Sequence, residues 1–297
     1  MSASNPIDNR YSTATDIISG IAHMSTLPEV TLRIVDVIDD PNSSARDLHQ
    51  IVASDPALSS RILKVVNSSF YGMPRQIGSM NRAISLLGLN AVKNIAVAAS
   101  LGKIFKSASA IPNFDARELW DHSLKTAVAC CMVAREAGSR CSDEAFLAGL
   151  LHDIGLMVEM QYDQSRFSSI LSDLDVNSDG VPSTNLILAE ESTFGVNHQD
   201  LGAVLCEQWK FPRSLVSATA NHHDPTNLSG DEAMMPWFVH IADRLSAGCP
   251  GGFRLDLPDL GISSHASDAI GLGPVAFASI AEALENQEDE IQISMAA

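Results

Sequence analysis

The sequence has few aromatic residues and few positive charges. Phe, Trp and Tyr together make up 5% of its 297 residues, and 19 Lys and Arg stand against 36 Asp and Glu, so the formal net charge is −17. With so few aromatics, the core must be built mainly from Leu, Ile, Val, Ala and Met. The charge argues against a general binder of phosphate backbones or of anionic membranes, which needs a basic face. We therefore expect neither nucleic acid nor a membrane among its partners.

Several functional signatures are also absent. The N-terminal residues show no basic segment followed by an apolar one, so we expect no signal peptide. The most apolar stretch, Ile95 to Leu101, is far too short to span a bilayer. The five cysteines form no Cys-x-x-Cys pair, which is typical of free thiols in a reducing compartment and predicts a cytoplasmic location. Neither a phosphate-binding Gly-x-x-x-x-Gly-Lys-Ser/Thr loop nor a Gly-x-Ser-x-Gly nucleophile elbow occurs.

Apolar residues recur at steps of three and four along nearly the whole chain, as in Val30, Ile34, Val37 and Ile38. This period is typical of helices, and segments with the two-residue alternation of strands are missing. The sequence therefore predicts an all-α protein. The predicted helices cover residues 12–24, 28–39, 44–54, 56–67, 80–87, 89–106, 115–138, 142–162, 164–173, 184–194, 198–209, 213–223 and 234–247, with one more helix or two in 255–285.

A small, proline-containing linker, Ser107 to Phe114, is the best candidate for a domain boundary. We therefore divide the chain into an N-terminal helical lobe, 1–106, a second helical lobe, 107–254, and an acidic C-terminal extension, 255–297. The three segments carry formal net charges of +2, −11 and −8. The negative charge is thus concentrated in the last two segments.

One stretch of this acidic protein is basic. Residues 56–106 contain seven Lys and Arg and no Asp or Glu. One interpretation is a solvated face that balances acidic neighbours; the other is a docking surface for an acidic protein partner or an anionic ligand. The basic residues are Arg61, Lys64, Arg75, Arg82, Lys93, Lys103 and Lys106.

Potential metal ligands recur on the predicted helices of the second lobe, partly as adjacent pairs. His152 and Asp153 follow an apolar helix, and His222 and His223 lie at another helix end. Carboxylates and imidazoles gathered in one helical bundle suit a centre of two metal ions, in which an aspartate bridges the ions and histidines fill the remaining positions. The full set is Glu118, His122, His152, Asp153, His198, His222, His223 and Asp243.

At these residues the chain resembles the HD superfamily of metal-dependent phosphohydrolases, whose signature is a His, a His-Asp doublet and a distant Asp. The matching residues are His122, His152, Asp153 and Asp243. More specifically, residues 20–248 are similar to the HDOD family, a signalling branch of that superfamily. The resemblance implies a helical bundle with an N-terminal helical lobe and a C-terminal HD-like helical lobe. The N-terminal features that carry it are Leu27-Pro28, Asp55-Pro56-Ala57-Leu58, Leu63 through Asn67-Ser68, Tyr71-Gly72, Ala83-Ile84 and Leu87-Gly88.

The order of the ligand types is similar to that of the HD-GYP cyclic-dinucleotide phosphodiesterases. The resemblance implies a divalent metal (Fe, Mn or Zn), as one ion or two, with Asp153 as the bridge. Glu118 precedes His122 by four residues and so shares its helix face, and it would serve a third site. The resemblance assigns His122, His152 and Asp243 to one ion and His198, His222 and His223 to the other.

The chain departs from that pattern at two places. The position of the lysine that helps HD-GYP enzymes to bind phosphate holds Leu156, and no Gly-Tyr-Pro motif follows His223. Lys125 and Arg244 are the nearby candidates to replace this lysine. Together with Asp153 they form the candidate catalytic set.

Three functional interpretations remain open. A signalling or regulatory module would hold metal and act through a protein partner, met by the basic 56–106 stretch, or through a phosphate-containing small ligand. A metal-dependent phosphohydrolase would attack phosphorus with a metal-bridged hydroxide, whose pKa the cations lower. In the third interpretation the histidines are simply buried and the metal site is vestigial. The missing lysine favours the first interpretation, and the complete ligand set favours the second.

Overall fold

The structure is a computed structural model, and it describes residues 6–21, 27, 29–39, 42–67, 73, 75–106, 111–177 and 180–286. These residues form sixteen α-helices and one 3₁₀ helix, Pro225–Asn227. No β-strand occurs among them, which confirms the predicted all-α class. The α-helices are α1 (Pro6–Ser19), α2 (Glu29–Asp39), α3 (Ala45–Ala53), α4 (Pro56–Val66), α5 (Met80–Leu87), α6 (Leu89–Lys106), α7 (Ala116–Glu136), α8 (Ser142–Leu151), α9 (Ile154–Tyr162), α10 (Gln164–Asp173), α11 (Leu186–Phe194), α12 (His198–Gln208), α13 (Arg213–Asn221), α14 (Asp231–Ala247), α15 (Ser264–Ile270) and α16 (Pro274–Glu285).

Local capping signals explain why several helices begin where the sequence predicts. The Asp55 side chain accepts a hydrogen bond from the backbone N–H of Leu58 at 2.9 Å, and Pro56 occupies the first turn of α4. At α3, the backbone N–H of Ser44 donates to the Asp47 carboxylate at 2.9 Å. These bonds satisfy N–H groups that a helix start otherwise leaves without partners.

Helix α1 differs from its prediction because distant residues hold its first half. The predicted helix covered 12–24, whereas α1 spans Pro6–Ser19. The guanidinium of Arg10 lies 2.6 Å from the carboxylates of both Glu191 and Asp200, far away in the sequence. Apolar periodicity alone does not reveal such contacts. The last residues of the predicted helix, 22–24, lie outside the described residues.

The predicted helix 142–162 is in fact two helices, α8 and α9, which are separated by His152 and Asp153. Asp153 has φ −102° and ψ 14°, outside the helical region, and this residue ends the continuous helix. The apolar pattern continues through both helices, so the sequence gives no sign of the break. The two residues that the sequence marks as ligands therefore lie at the junction itself.

A single hydrophobic core connects the two predicted lobes. It runs continuously from Ala14 in α1 to Leu284 in α16. Helix α6 packs against α2, α4 and α5 and also against α7 and α8, so it joins the N-terminal helices to the later ones. Helix α16, from the predicted C-terminal extension, packs against α7 and α14. The division of the chain into two lobes and an extension, at residues 106 and 254, stays a prediction from the sequence.

One member of the basic stretch does not lie on the surface. Lys93 is only 3% exposed, and its ammonium group donates to the carbonyl oxygen of Val37 and, at 2.8 Å, to the hydroxyl of Ser43. Lys93 therefore belongs neither to a solvated face nor to a docking surface, and both interpretations of the basic stretch are wrong at this residue. The buried amine satisfies the carbonyl near the end of α2, so its role is structural.

The apolar run in the middle of α6 is a core segment. Residues 95–101 are each at most 5% exposed. Among the described residues, no single helix is both long and apolar enough to cross a membrane. Helices α15 and α16 meet that requirement only when counted together, across a bend of 86°.

Candidate metal centre

Eight His and Asp side chains form two neighbouring clusters that could each hold a metal ion. Within each cluster, one ligand atom from every residue lies within 4.8 Å of the others. The first cluster is His122, His152 and Asp243, and the second cluster is Asp153, His198, His222, His223 and Asp256. Seven of the eight side chains are at most 1% exposed, and His223 is 9% exposed.

Six different parts of the fold deliver these side chains. His122 comes from α7, Asp243 from α14 and His198 from the first residue of α12, while His222 and His223 directly follow α13. The doublet of His152 and Asp153 occupies the junction between α8 and α9, and Asp256 lies in a turn after α14. The site therefore exists only when the helices of the second lobe are packed together.

Asp153 connects the two clusters. Its Oδ2 atom lies 3.1 Å from Nε2 of His152, while its Oδ1 atom lies 3.3 Å from Nε2 of His222 and 3.8 Å from Nε2 of His198. Each carboxylate oxygen thus faces a different cluster. This is the geometry of a carboxylate that can bridge two cations.

The separations within the clusters match those between ligands that share one ion. In the first cluster, Oδ1 of Asp243 lies 3.1 Å from Nε2 of His122 and 3.7 Å from Nε2 of His152. In the second cluster, the Nε2 atoms of His198 and His223 are 2.9 Å apart. Ligands about 2.1 Å from a metal lie roughly 3.0 to 3.4 Å from one another in octahedral and tetrahedral geometries. Most of the observed distances lie in or near this range.

Backbone and carboxylate acceptors orient three of the histidines. Nδ1 of His152 lies 2.7 Å from the carbonyl oxygen of Gly149, and Nδ1 of His222 lies 2.9 Å from the carbonyl oxygen of Thr219. Nδ1 of His198 lies 2.8 Å from the carboxylate of Glu190, which is itself fully buried. When Nδ1 carries the proton that is donated to these acceptors, Nε2 presents its lone pair to the cluster, as metal-binding imidazoles do.

Several buried polar atoms of the clusters have no hydrogen-bond partner. They include Nε2 of His152 and of His222 and both carboxylate oxygens of Asp153, Asp243 and Asp256. Burying such atoms without partners is costly, and a cation in each cluster would satisfy them. A mixed set of imidazole nitrogens and carboxylate oxygens fits Fe, Mn or Zn better than a thiolate-selective metal. The residues therefore fit a divalent metal site.

Electrostatics divide the carboxyl groups into two kinds. Burial alone would raise the pKa of Asp153 and of Asp243, but neighbouring histidines outweigh burial and hold both pKa values well below the usual range. For Asp256, burial and the nearby carboxylates of Asp153 and Asp243 raise the pKa well above the usual value. The histidines thus balance the charge of Asp153 and Asp243, whereas the raised pKa of Asp256 favours its protonated form unless a cation is present.

Metal binding is expected to release protons. Burial lowers the pKa of His198, but Glu190 and Asp153 outweigh it and raise the pKa to about 9; Asp153 and Asp243 likewise raise the pKa of His152 well above normal. Both rings therefore hold a second proton at neutral pH in the metal-free chain, and a metal must displace it. As the pH falls below these raised pKa values, metal affinity should decrease by about tenfold per pH unit for each displaced proton.

Calorimetric titrations in buffers of different ionisation enthalpy count these protons. The Glu190→Gln variant is the matched control, because loss of the carboxylate lowers the pKa of His198 and should reduce the number released. Equal heats in all buffers for the unsubstituted protein would contradict the expectation.

Two glycines allow the ligand-bearing helices to approach closely. A Cβ atom at Gly155, on α9, would overlap the carbonyl oxygen of His198, and one at Gly149, on α8, would lie 2.6 Å from the carbonyl oxygen of Thr126 on α7. Both contacts are with backbone, which cannot move aside as a flexible side chain can. Glycine at these positions therefore sets the distance between the helices that carry the clusters.

The Gly155→Ala variant is expected to lose about 1–3 kcal/mol of unfolding free energy, because α9 and α12 must separate to admit the methyl group. Urea denaturation measures this loss. Gly78→Ala is the matched control, since no atom lies within 4 Å of a Cβ at Gly78, and its stability should change by less than about 0.5 kcal/mol. Equal stability of the two variants would show that α9 and α12 are not held at this contact.

Some predicted site residues lie apart from the clusters. Glu118 is exposed on α7 and belongs to neither cluster, so the structure does not bring it to a third site with the other ligands. Lys125 is 5% exposed on α7, and Arg244 donates to the carbonyl oxygen of His240 at 3.0 Å. Leu156 is 1% exposed, so the position of the missing lysine is part of the core.

Sequence reasoning missed Asp256 and Glu190. The available signal for Asp256 was an acidic residue between two leucines, Leu255 and Leu257, a pattern that indicates burial. Glu190 had no such signal, because its neighbour Glu191 is an equally plausible candidate in the sequence. Its burial against His198 depends on how α11 packs.

A cavity of about 590 Å³ reaches the second cluster at His223. Its acidic lining residues far outnumber its basic ones, and the guanidinium of Arg10 in its wall already pairs with two of the carboxylates. An anion that entered the cavity would therefore meet negative charge. The acidic residues of the lining are Glu191, Asp200, Glu207 and Asp224.

Comparison with known proteins agrees with this fold. The family model of the HDOD domain matches residues 24–225, more than half of the chain. Two curated relatives are similar over part of their length. An uncharacterized protein of Treponema pallidum is 23% identical over 71% of this chain, and ribonuclease Y of Thermus thermophilus is 29% identical over 46% of it. The matched part spans 40% of the first relative and 18% of the second.

Two solved structures share the fold. An HDOD domain protein of unknown function from Geobacter sulfurreducens matches with a TM-score of 0.72 at 22% identity, over 95% of this chain and 99% of that one. A protein from Marinobacter aquaeolei, described as a candidate signal transduction protein, matches with a TM-score of 0.76 at 23% identity, over 97% of this chain and 67% of that one. At these identities the likeness concerns the fold.

Proposed function

This chain belongs to the HDOD family, and from that premise we propose that it is a signalling protein whose HD-like lobe holds two divalent cations and which acts by binding a partner or a ligand. The observation that carries the proposal is the position of Asp153. Its two oxygens face different clusters, and neither has a hydrogen-bond partner. The expected ligands are those of the two clusters, and the expected ions are Fe, Mn or Zn.

The surroundings of the clusters favour binding over hydrolysis. A hydrolytic site needs cationic groups that meet the substrate phosphate, beside an open coordination position. Here Leu156 replaces the lysine, Lys125 is buried, and Arg244 is engaged with the backbone of His240. Four carboxylates line the cavity at His223, against the single guanidinium of Arg10. These features support a regulatory role.

A metal-dependent phosphohydrolase is the second candidate function. The bridged pair of clusters favours it, because two cations held by one carboxylate would supply Lewis acidity and charge stabilisation at phosphorus. In that case Asp153 would hold the ions, and Lys125 and Arg244 would be the candidates to stabilise negative charge. The similarity to HD-GYP phosphodiesterases stays a prediction.

The proposed partner is an acidic protein that meets the basic N-terminal stretch. Lys64, Arg75 and Arg82 are exposed there. A Lys64→Glu, Arg75→Glu, Arg82→Glu variant should therefore lose a partner that the unsubstituted protein captures.

A phosphate-containing small ligand is the other proposed binder. The cysteines are consistent with a reducing, cytoplasmic setting, since all five are free thiols and four of them are buried.

The decisive experiment combines metal analysis with a substrate panel. Tag-free protein from metal-supplemented growth should contain about two Fe, Mn or Zn ions per chain by elemental analysis. It should then be offered cyclic dinucleotides, other phosphodiesters and single-stranded RNA, with and without chelator. Bound metal without turnover supports the regulatory proposal. Turnover that the chelator removes would replace it with the hydrolase. Absence of metal would overturn both.

A further inference from the structure

Asp256 is a buried carboxylate that neither the resemblance nor the family match accounts for. It lies beyond residue 225, where the family match ends, and beyond the predicted HD-like lobe. Its side chain is fully buried, and both of its oxygens lack a hydrogen-bond partner. A carboxylate in such a place is costly when ionised, so its charged form needs a compensating partner. Its neighbours indicate what that is.

The Asp256 carboxylate points into the second cluster. Its Oδ2 atom lies 3.3 Å from Nε2 of His223, and this nitrogen lies 2.9 Å from Nε2 of His198. Two imidazole nitrogens and a carboxylate oxygen thus converge on one point. A role as a mere acceptor for His223 fits less well, because no hydrogen bond joins the two groups. Convergence on a shared cation explains all three atoms.

The chain is folded back tightly to place this residue. Gly252 lies so close to α14 that a Cβ there would overlap the carbonyl oxygen of Ala247, and the backbone N–H of Leu257 donates to the carbonyl oxygen of Arg254 at 3.0 Å. The ring of Phe253 packs 5.6 Å, between centroids, from that of His122 in the first cluster. We call residues 253–257 the cap segment, since it contacts the first cluster through Phe253 and the second through Asp256.

We propose that Asp256 is a fifth protein ligand of the ion in the second cluster, so that the cap segment is part of the metal centre. The inference rests on the proposed function, because it requires that the second cluster holds metal. The protein ligands of that ion are Asp153, His198, His222, His223 and Asp256.

A fifth ligand changes what the second ion can do. Five protein atoms leave at most one position of an octahedral ion, whereas catalytic ions usually keep positions open for water and substrate. The third carboxylate also reduces the charge of the centre. Two divalent cations with Asp153 and Asp243 alone would carry a net charge of +2, and Asp256 lowers it to +1. The centre is therefore better suited to holding the fold than to attracting a phosphate anion.

The test is the Asp256→Asn variant of the full chain, with Asp268→Asn as the matched control. Asp268 is an exposed acid on α15, so its substitution makes the same charge change away from the clusters. Metal-free proteins are titrated with Co²⁺ against a chromophoric chelator, and the visible absorption of bound Co²⁺ reports the coordination number. Circular dichroism confirms that each variant is folded.

We expect the unsubstituted protein and Asp268→Asn to bind two Co²⁺ ions. In Asp256→Asn, the first ion should bind normally, while the second should bind at least about tenfold more weakly and with a changed spectrum. Unchanged affinity and spectrum in Asp256→Asn would overturn this inference and leave the proposed function standing. A failure of the unsubstituted protein to bind any Co²⁺ would overturn both. Loss of both ions from a folded Asp256→Asn protein would also contradict a role confined to the second cluster.

Discussion

The Asp153→Asn variant is expected to lose both metal ions together, the largest single effect that we predict on this protein. One oxygen of Asp153 faces each cluster, and no other side chain does this among the described residues. An amide has one acceptor oxygen and no charge, so it cannot satisfy two cations. The affinity for each ion should fall by about 100-fold, at the upper end of what changes around metal sites cost. Elemental analysis after dialysis measures the loss.

The Glu118→Gln variant is the matched control for this prediction. It also removes one carboxylate charge, but Glu118 is exposed and lies in neither cluster, so metal content should be unchanged. Retention of one full ion by Asp153→Asn would show that Asp153 belongs to a single cluster. A loss of metal from Glu118→Gln would instead revive the third site that the resemblance implies.

Chelation is expected to lower the melting temperature strongly. The metal-free centre buries Asp153, Asp243 and Asp256 together with five histidines, and a cation that binds only the folded state stabilises it. At a thousandfold excess of free metal over its Kd, this stabilisation is about 4 kcal/mol. For a chain of this size, that corresponds to on the order of 10 °C in Tm. Differential scanning calorimetry with and without chelator measures the shift.

The Asp153→Asn protein provides the internal comparison. If the shift arises from the clusters, chelator should change its melting temperature very little. An equal shift in both proteins would place the stabilising metal elsewhere. No shift in the unsubstituted protein would contradict metal-linked stability and would favour the vestigial interpretation of the histidines.

The fold class was predictable from the sequence because its signals are local. Apolar residues at three- and four-residue steps predict helices anywhere in the chain, and Asp55 with Pro56 marks the start of α4 without reference to the rest of the molecule. The ligand types could be predicted through the resemblance because that signal is also local. His152 and Asp153 are adjacent, so the doublet can be recognised in the sequence without knowledge of the fold.

The geometry of the site was not predictable because it depends on packing. The break between α8 and α9 lies inside a continuous apolar pattern, so periodicity could not reveal it. A spacing of four residues places Glu118 on the same face of α7 as His122, but it does not determine how deeply each side chain is buried. The structure shows that Glu118 is exposed. Asp256 follows a Pro/Gly break, after which helical spacing carries no information. Its position beside the second cluster depends on the turn at Gly252, which the spacing of residues in the sequence does not reveal.

The position of the cap segment has a practical consequence for dissecting the protein. A fragment chosen to match the family model would stop at residue 225, and it would keep six of the eight cluster residues while omitting Asp243 and Asp256. Such a fragment would lack one ligand from each cluster and the whole of α14, the helix whose Asp243 contacts His122. Its failure to bind metal would then reflect where it was cut. Studies of this centre should therefore retain the chain through α16.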